Sequence, residues 1–114
     1  MNNKRKLSIS SSAKDTIRNS VLLAEELNTG IEISRLPLYK TKGLTLEDTI
    51  KIIKSDLEGF KNRVTLHAMF SDVNVAGSDV LLRELSQQRC YQSFEVGKAI
   101  NAETILFHTG KKGT

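Results

Sequence analysis

The feature that most constrains this chain is a regular alternation of four short apolar runs with three longer stretches of helical periodicity. Short runs rich in β-branched residues are typical of strands, whereas apolar residues spaced three and four apart indicate an amphipathic helix. Strands that alternate with helices pair in parallel through right-handed crossovers. We therefore predict an α/β fold with a parallel β-α-β-α-β-α-β order. The predicted strands are Lys6–Ser10, Ile31–Ser34, Arg63–Ala68 and Glu103–His108.

Signals for helix starts, ends and buried faces lie between these runs. The predicted starts are Ser12 with Asp15, Thr45 with Asp48, and Ser78-Asp79, and the first helix is predicted to end at Asn28-Thr29-Gly30. The residues expected to face the core are Ile17, Val21, Ala24 and Leu27 on the first helix, Leu46, Ile50, Ile53, Leu57 and Phe60 on the second, and Leu82, Leu85, Tyr91, Phe94 and Ile100 on the third, which runs to about Asn101.

Polar residues at alternate strand positions separate this sheet from an open doubly wound sheet, whose central strands are apolar on both faces. We predict that helices cover the apolar positions and that the polar positions face the interior and mouth of a barrel. The polar positions are Ser8 and Ser10, Glu32 and Ser34, Thr65 and His67, and Thr104 and His108.

The length of the chain fits only part of such a barrel. A (β/α)8 TIM barrel needs about 250 residues, and these 114 residues supply three βα units and a fourth strand. We therefore interpret residues 1–114 as one domain, the N-terminal half of a TIM barrel. Its first and fourth strands would be open edges, which proteins avoid. A C-terminal half is the favoured way to complete the barrel, and a second copy of the chain is the alternative.

Both histidines of the chain stand at the ends of predicted strands, His67 after Val64-Thr65-Leu66 and His108 after Ile105-Leu106-Phe107. The carboxyl edge of a parallel sheet is where ligands bind in α/β proteins. Adjacent strands lie about 4.8 Å apart, so two such imidazoles can share one metal ion or one oxyanion. We expect each to bind a ligand or substrate, although hydrogen bonding to the backbone is the simpler alternative for both. A metal site would need further ligands.

Other polar residues fall at the same predicted mouth. Glu32 interrupts an apolar strand and is costly to bury without a partner, so either a structural partner or a substrate contact is expected. Asp72 and Asn74 lie in the following loop, where substrate binding competes with ordinary turn chemistry. Ser10 could also contact a ligand. Cys90 has no histidine placed to activate it, and Gly110–Gly113 lacks the spacing of a phosphate-binding loop.

Composition excludes several classes of protein. A single cysteine allows no internal disulfide and fits a reducing compartment. No apolar stretch approaches the roughly 20 residues of a membrane span, and no signal-peptide core follows the basic N-terminus, so a cytoplasmic location is expected. Aromatic residues make up 5% with no Trp, which disfavours a stacking platform for nucleic acid. The net charge of +4 is dispersed.

Taken together, these pieces resemble the N-terminal half of the xylose-isomerase-like TIM barrels. The resemblance depends on the order of four short motifs, each weakly specific alone, and covers nearly the whole chain. The motifs are Gly30-Ile31-Glu32-Ile33, Val64-Thr65-Leu66-His67-Ala68, the loop from Ser71 to Asp79, and Ile105-Leu106-Phe107-His108-Thr109-Gly110.

The resemblance implies a sugar or sugar phosphate isomerase or epimerase that moves a proton next to a carbonyl, assisted by Mn²⁺, Mg²⁺ or Zn²⁺. His67 and His108 would contact substrate or hold the metal, and the remaining ligands and the catalytic base would lie on later strands. Endonuclease IV-like members use both histidines as ligands, so zinc-dependent hydrolysis at abasic DNA is an alternative, although the dispersed charge disfavours nucleic acid. An inactive truncated or self-dimerising half-barrel is a third.

Overall fold

Strands and helices alternate along the chain, as the sequence predicts. The computed structural model describes residues 7–34, 36, 43–68 and 74–108. The strands are β1 (Ser8–Ser10), β2 (Gly30–Ile33), β3 (Val64–His67) and β4 (Thr104–Leu106), and the helices are α1 (Ile17–Leu27), α2 (Leu46–Asp56) and α3 (Val80–Ala99). Each strand lies inside its predicted run or begins one residue before it. Lys6, the predicted first residue of β1, is outside the described residues.

All four strands form one parallel sheet in the order β1-β2-β3-β4. Ser10 is level with Glu32, Glu32 with Thr65, and Thr65 with Thr104. Because successive side chains of a strand point to opposite faces, this row defines a polar face of the sheet. The predicted parallel α/β fold is confirmed, and its arrangement is like half of a barrel.

The hydrophobic core lies on the other face of the sheet, between the strands and the helices. Ile31, Ile33 and Leu66 have no solvent exposure. Each helix adds fully or almost fully buried side chains to the same cluster, namely Val21 and Ala24 from α1, Ile53 from α2, and Val96 from α3. The alternation of polar and apolar residues in the strands therefore separates a packed face from a face that carries functional groups.

Two of the three predicted helix starts are correct. The Thr45 hydroxyl accepts a hydrogen bond from the backbone N–H of Asp48 at 3.0 Å, and Asp79 caps α3 through the N–H of Leu81 at 2.9 Å. Each cap satisfies a backbone donor that has no partner within the helix.

The predicted start of α1 at Ser12 is wrong, because Thr16 is the N-cap and its hydroxyl accepts from the Asn19 N–H at 3.0 Å. The Ser12 side chain bonds instead to Ser10. Asp15 accepts a hydrogen bond from the Asn19 amide at 2.9 Å, and this bond lowers the pKa of the Asp15 carboxyl.

The predicted end of α1 is confirmed at Asn28. Asn28, with φ of 54°, takes the left-handed cap conformation, and Gly30 is the first residue of β2. A Cβ at Gly30 would lie 2.7 Å from the carbonyl oxygen of Arg63, so a close approach of neighbouring backbone requires glycine there. Leu27, predicted to be buried, is 46% exposed.

The predicted core face of α3 is wrong at four of its five positions. Leu82, Leu85, Tyr91 and Phe94 are exposed, and only Ile100, the residue after the helix, is buried. The buried residues of α3 are Ser86, Ser93, Val96 and Gly97. A Cβ at Gly97 would collide with Ile105, so small side chains let α3 approach the sheet closely. Within the described ranges, no helix combines the length and apolarity needed to cross a bilayer.

Candidate functional site

Two imidazoles meet at the carboxyl edge of β3 and β4. His67 is the last residue of β3, and His108 follows β4 by two residues. Their Nε2 atoms are 3.0 Å apart, and the ring centroids are separated by 4.7 Å with 63° between the planes. The two side chains therefore lie together at the edge where the sequence places them. His67 is half-buried and His108 is exposed.

A backbone contact fixes the orientation of His67. Its Nδ1 lies 2.9 Å from the carbonyl oxygen of Ala68. Because a carbonyl oxygen only accepts hydrogen bonds, Nδ1 carries the proton, and Nε2 of the neutral ring presents a lone pair toward His108. A ligating histidine commonly has this arrangement, with one nitrogen donating to a backbone acceptor and the other directed at the metal.

The spacing of the Nε2 atoms also suits joint coordination of one ion. Metal–nitrogen bonds to histidine are about 2.0–2.1 Å long, so two nitrogens 3.0 Å apart are close enough for one ion to contact both. Without an ion, His108 can donate from Nε2 to the lone pair of His67.

The histidine pair supplies only part of a ligand set. In the part of the chain that the structure describes, no group of three or more His, Cys, Asp and Glu side chains is placed to hold a metal ion. Structural and catalytic sites use at least three protein ligands. Further ligands would have to come from outside the described residues.

Of the other three residues predicted for the site, the structure describes Glu32 and Asn74. Glu32 is half-buried on the polar face, between Ser10 and Thr65. The side-chain oxygen of Asn74 accepts a hydrogen bond from the N–H of Ala76 at 3.1 Å. This local turn agrees with the structural alternative predicted for Asn74. Asp72 lies outside the described residues.

Cys90 lies on α3, away from the strand ends. Burial raises the pKa of its thiol, which keeps the sulfur protonated and weakly nucleophilic at neutral pH. The environment of Cys90 therefore agrees with a structural role.

A group of serine hydroxyls at the ends of β1 and β2 is the feature that sequence reasoning largely missed. The Ser10 hydroxyl lies 2.8 Å from that of Ser12 and 3.0 Å from that of Ser34. From the sequence, Ser10 is a candidate ligand contact, whereas Ser12 is predicted to start a helix. The signal that could have revealed the group is a run of serines after β1 together with a serine at the matching end of β2.

A cavity of about 360 Å³ lies at the opposite, amino edge of the sheet. Its lining includes Lys54, Phe60, Arg63 and Glu103, and Arg63 Nε lies 3.5 Å from a carboxylate oxygen of Glu103. None of the candidate residues that the structure describes borders this cavity. Because the amino ends of parallel strands are usually concerned with stability rather than ligand binding, the carboxyl edge remains the candidate site.

Comparison with known proteins supports the fold and does not identify a family. No protein family and no curated protein matches the sequence. Among solved structures, the fold is similar to that of the TTHB071 protein from Thermus thermophilus, determined after soaking with ZnCl2, with a TM-score of 0.69 and 16% sequence identity. The match covers 95% of this chain and 40% of that protein. The chain thus spans well under half the length of the protein that it resembles in fold.

Proposed function

We propose that this chain is one half of a metal-assisted sugar or sugar phosphate isomerase or epimerase of the xylose-isomerase-like type. The observation that carries the proposal is the pair of imidazole Nε2 atoms 3.0 Å apart at the carboxyl edge of the sheet. The α/β half-barrel arrangement and the partly polar inner face support it. The single cysteine supports a reducing, cytoplasmic location.

His67 and His108 fit a resident divalent ion such as Mn²⁺, Mg²⁺ or Zn²⁺, with imidazole favouring Zn²⁺ over the other two. When bound, the ion would polarise the carbonyl and hydroxyl oxygens of the substrate. The contribution of this chain is to orient these groups. The Ala68 carbonyl holds the His67 ring through Nδ1–H, and the two strands keep both side chains at the mouth. No residue of this chain is assigned as the catalytic base.

Metal titration tests the first part of the proposal. We expect Zn²⁺ or Mn²⁺ to bind the 114-residue chain and to perturb the imidazole resonances of both histidines, with Mn²⁺ broadening them. Loss of a residue that only supports a metal ligand typically weakens metal binding about 10- to 100-fold. Because His67 and His108 would contact the ion directly, His67→Ala and His108→Ala should each weaken metal binding by more than this. Binding that is unchanged in both variants would exclude the histidines as ligands.

Activity tests the second part. The isolated chain should show no significant turnover of ketoses with Mn²⁺, because part of the site is missing, whereas the intact barrel should be active and should lose activity on His108→Ala. Robust turnover by the isolated chain would contradict the half-site proposal. Unchanged turnover by the intact barrel after both histidine substitutions would remove them from the mechanism.

We also propose that a further α/β half completes the barrel. In the described residues β4 pairs only with β3, and β1 only with β2. The side of α3 that carries Leu81, Leu82 and Leu85 is exposed, as is Tyr91. Phe94 contacts Phe107 just after β4, with ring centroids 4.7 Å apart, and it is still 52% exposed. An adjoining strand and helix would cover these groups.

Sedimentation velocity distinguishes the two ways of completing the barrel. A C-terminal half on the same polypeptide predicts that the isolated 114-residue chain self-associates without a defined stoichiometry. A stable dimer would instead show that a second copy fills the role. A well-behaved monomer would contradict both.

Zinc-dependent hydrolysis at abasic DNA is the second candidate. The close approach of the two imidazoles favours it, because endonuclease IV-like proteins use the histidines at the corresponding strand ends together as metal ligands. The structural neighbour was also soaked with ZnCl2. Such an enzyme needs several zinc ions and a basic surface for the DNA backbone. Tightly held zinc in elemental analysis of the intact barrel, together with cleavage of an abasic duplex, would establish it in place of the isomerase.

A further inference from the structure

We propose that the hydroxyls of Ser10, Ser12 and Ser34 form a binding subsite for the uncharged hydroxyl groups of a polyol or sugar. This subsite rests on the proposed function only in that the histidine pair would act on another part of the same ligand. The cluster stands at the carboxyl ends of β1 and β2, on the same edge as the imidazoles but on the other pair of strands.

The three hydroxyls form a triangle. Ser10 and Ser12 Oγ are 2.8 Å apart, Ser10 and Ser34 Oγ are 3.0 Å apart, and Ser12 and Ser34 Oγ are 3.4 Å apart. Ser10 and Ser34 are half-buried and Ser12 is exposed, so the triangle is open on one side. Each hydroxyl can donate one hydrogen bond and accept two, which matches a ligand whose own hydroxyls donate and accept.

Ser11 joins the two strand ends independently of these three hydroxyls, of which Ser10 also accepts a hydrogen bond from the backbone N–H of Ser12 at 3.1 Å. The Ser11 hydroxyl accepts from the Ser34 N–H at 2.9 Å and lies 3.2 Å from the Ser34 carbonyl, to which it donates. Ser11 is 4% exposed, and its own carbonyl accepts from the Ser20 hydroxyl at 2.8 Å. A ligand can therefore replace the weak mutual bonds of the triangle while the strand ends stay joined.

The position of the triangle suits a ligand that also reaches the histidines. Ile33 and Leu66 are the last paired residues of β2 and β3, and the next residues along the two strands are Ser34 and His67. Neighbouring strands lie about 4.8 Å apart, so the hydroxyls begin about one strand spacing from His67 and about two from His108. A small polyhydroxy chain can span this distance.

Among the described residues, the charge beside the triangle favours an uncharged ligand over a phosphoryl group. Glu32 is level with Ser10 on the polar face and precedes Ser34 by two residues on the same side of β2. A carboxylate there repels a phosphoryl group but accepts hydrogen bonds from ligand hydroxyls. Arg18, on the first turn of α1, donates instead to the Asp56 carbonyl at 3.0 Å. The cluster is therefore suited to hydroxyl groups.

The test is a titration of the 114-residue chain with glycerol, xylitol and D-fructose, followed by the amide chemical shifts of Ser10, Ser12 and Ser34, with inorganic phosphate as a separate probe. We expect at least one polyol to shift these amides saturably and phosphate to leave them unchanged. Ser34→Ala should weaken polyol binding about three- to tenfold, the loss of one or two net hydrogen bonds. Ser55→Ala, an exposed serine on α2, is the matched control and should change nothing.

Three further results would decide whether the serine hydroxyls bind the polyol. Ser12 is exposed, so Ser12→Ala tests the subsite even if Ser34→Ala destabilises the chain, and polyol binding unchanged in Ser12→Ala would overturn the proposal. Tighter binding of phosphate, or no amide shift with any polyol, would overturn it as well. Repeating the titration with His67→Ala separates the two proposals. If this variant loses metal binding but still binds the polyol, the serine subsite does not depend on the metal site.

Discussion

The two faces of the sheet are built from the same strands and have opposite roles. On the apolar face, Ile31, Ile33 and Leu66 are fully buried beneath the helices. On the polar face, Glu32 and His67 are half-buried, and the hydroxyls and imidazoles at its carboxyl edge form hydrogen bonds with one another and with nearby backbone. The comparison shows that stability and ligand chemistry occupy alternate residues of each strand, so that one can change with little effect on the other.

The largest expected effect tests the packed face. Leu66→Ala removes a side chain with 0% exposure from the centre of β3 and should lower the free energy of unfolding by about 2–5 kcal/mol. Leu106 on β4 is level with His67 and is 51% exposed. Leu106→Ala should therefore change the free energy of unfolding by no more than about 0.5 kcal/mol. Urea unfolding measures both, and equal losses would break the distinction between the faces.

A second prediction concerns the contact of α3 with the packed face. Gly97→Ala should lower the free energy of unfolding by about 1–3 kcal/mol, because the new methyl collides with Ile105 and overpacking outweighs the better helix propensity of alanine. In a double-mutant cycle, Ile105→Val should recover part of this loss by removing the nearer atom. A stabilising Gly97→Ala would show that α3 lies farther from the sheet than the structure places it.

Two neighbouring serines sharpen the comparison at the edge of the sheet. Ser11→Ala leaves the Ser34 N–H without its hydroxyl acceptor and should cost about 1–3 kcal/mol in the free energy of unfolding. Ser12→Ala changes an exposed hydroxyl of the binding triangle and should cost at most about 0.5 kcal/mol. Thermal unfolding of the two variants compares them directly, and a reversed order would reassign the structural role to Ser12.

The smallest expected effect lies at the ends of helices, outside both faces. Burial raises the pKa of the Asp56 carboxyl, an effect that Arg18 partly offsets, so the folded state holds this proton more tightly than the unfolded state. Stability should therefore fall as pH rises from the ordinary carboxyl pKa through the raised one. Asp56→Asn should gain a few tenths of a kcal/mol at neutral pH, since it also removes a negative charge from the end of α2.

Asp15 provides the matched contrast of opposite sign. Its pKa is lowered, chiefly by the hydrogen bond from Asn19, so its contribution is present above the ordinary carboxyl pKa and is lost as pH falls through the lowered one. Unfolding curves recorded across the acidic range should show the Asp15→Asn and Asp56→Asn differences with opposite signs. The same sign for both would contradict these assignments.

Local patterns in the sequence were enough for the elements and for the imidazole pair. Alternation in β2 predicted that Ile31 and Ile33 are buried, because the side-chain period of a strand is two whatever surrounds it. In β3 it predicted the buried Leu66, whereas Thr65 on the polar face is buried as well. Thr45 and Asp48 predicted a helix start, because an N-cap acts within a few residues of chain. The meeting of His67 and His108 followed from parallel order, since the carboxyl ends of adjacent parallel strands share one edge.

The sequence by itself thus determined the order of elements, the two faces of the sheet and the position of both histidines. Only the tertiary structure decided which side of α3 is buried, that Thr16 rather than Ser12 caps α1, and that three serines from two strand ends come together. The reason is that these features depend on distances between elements. Close approach of α3 to Ile105 selects small residues such as Gly97 over larger apolar ones, and a hydroxyl forms its bonds with whichever strand end lies beside it.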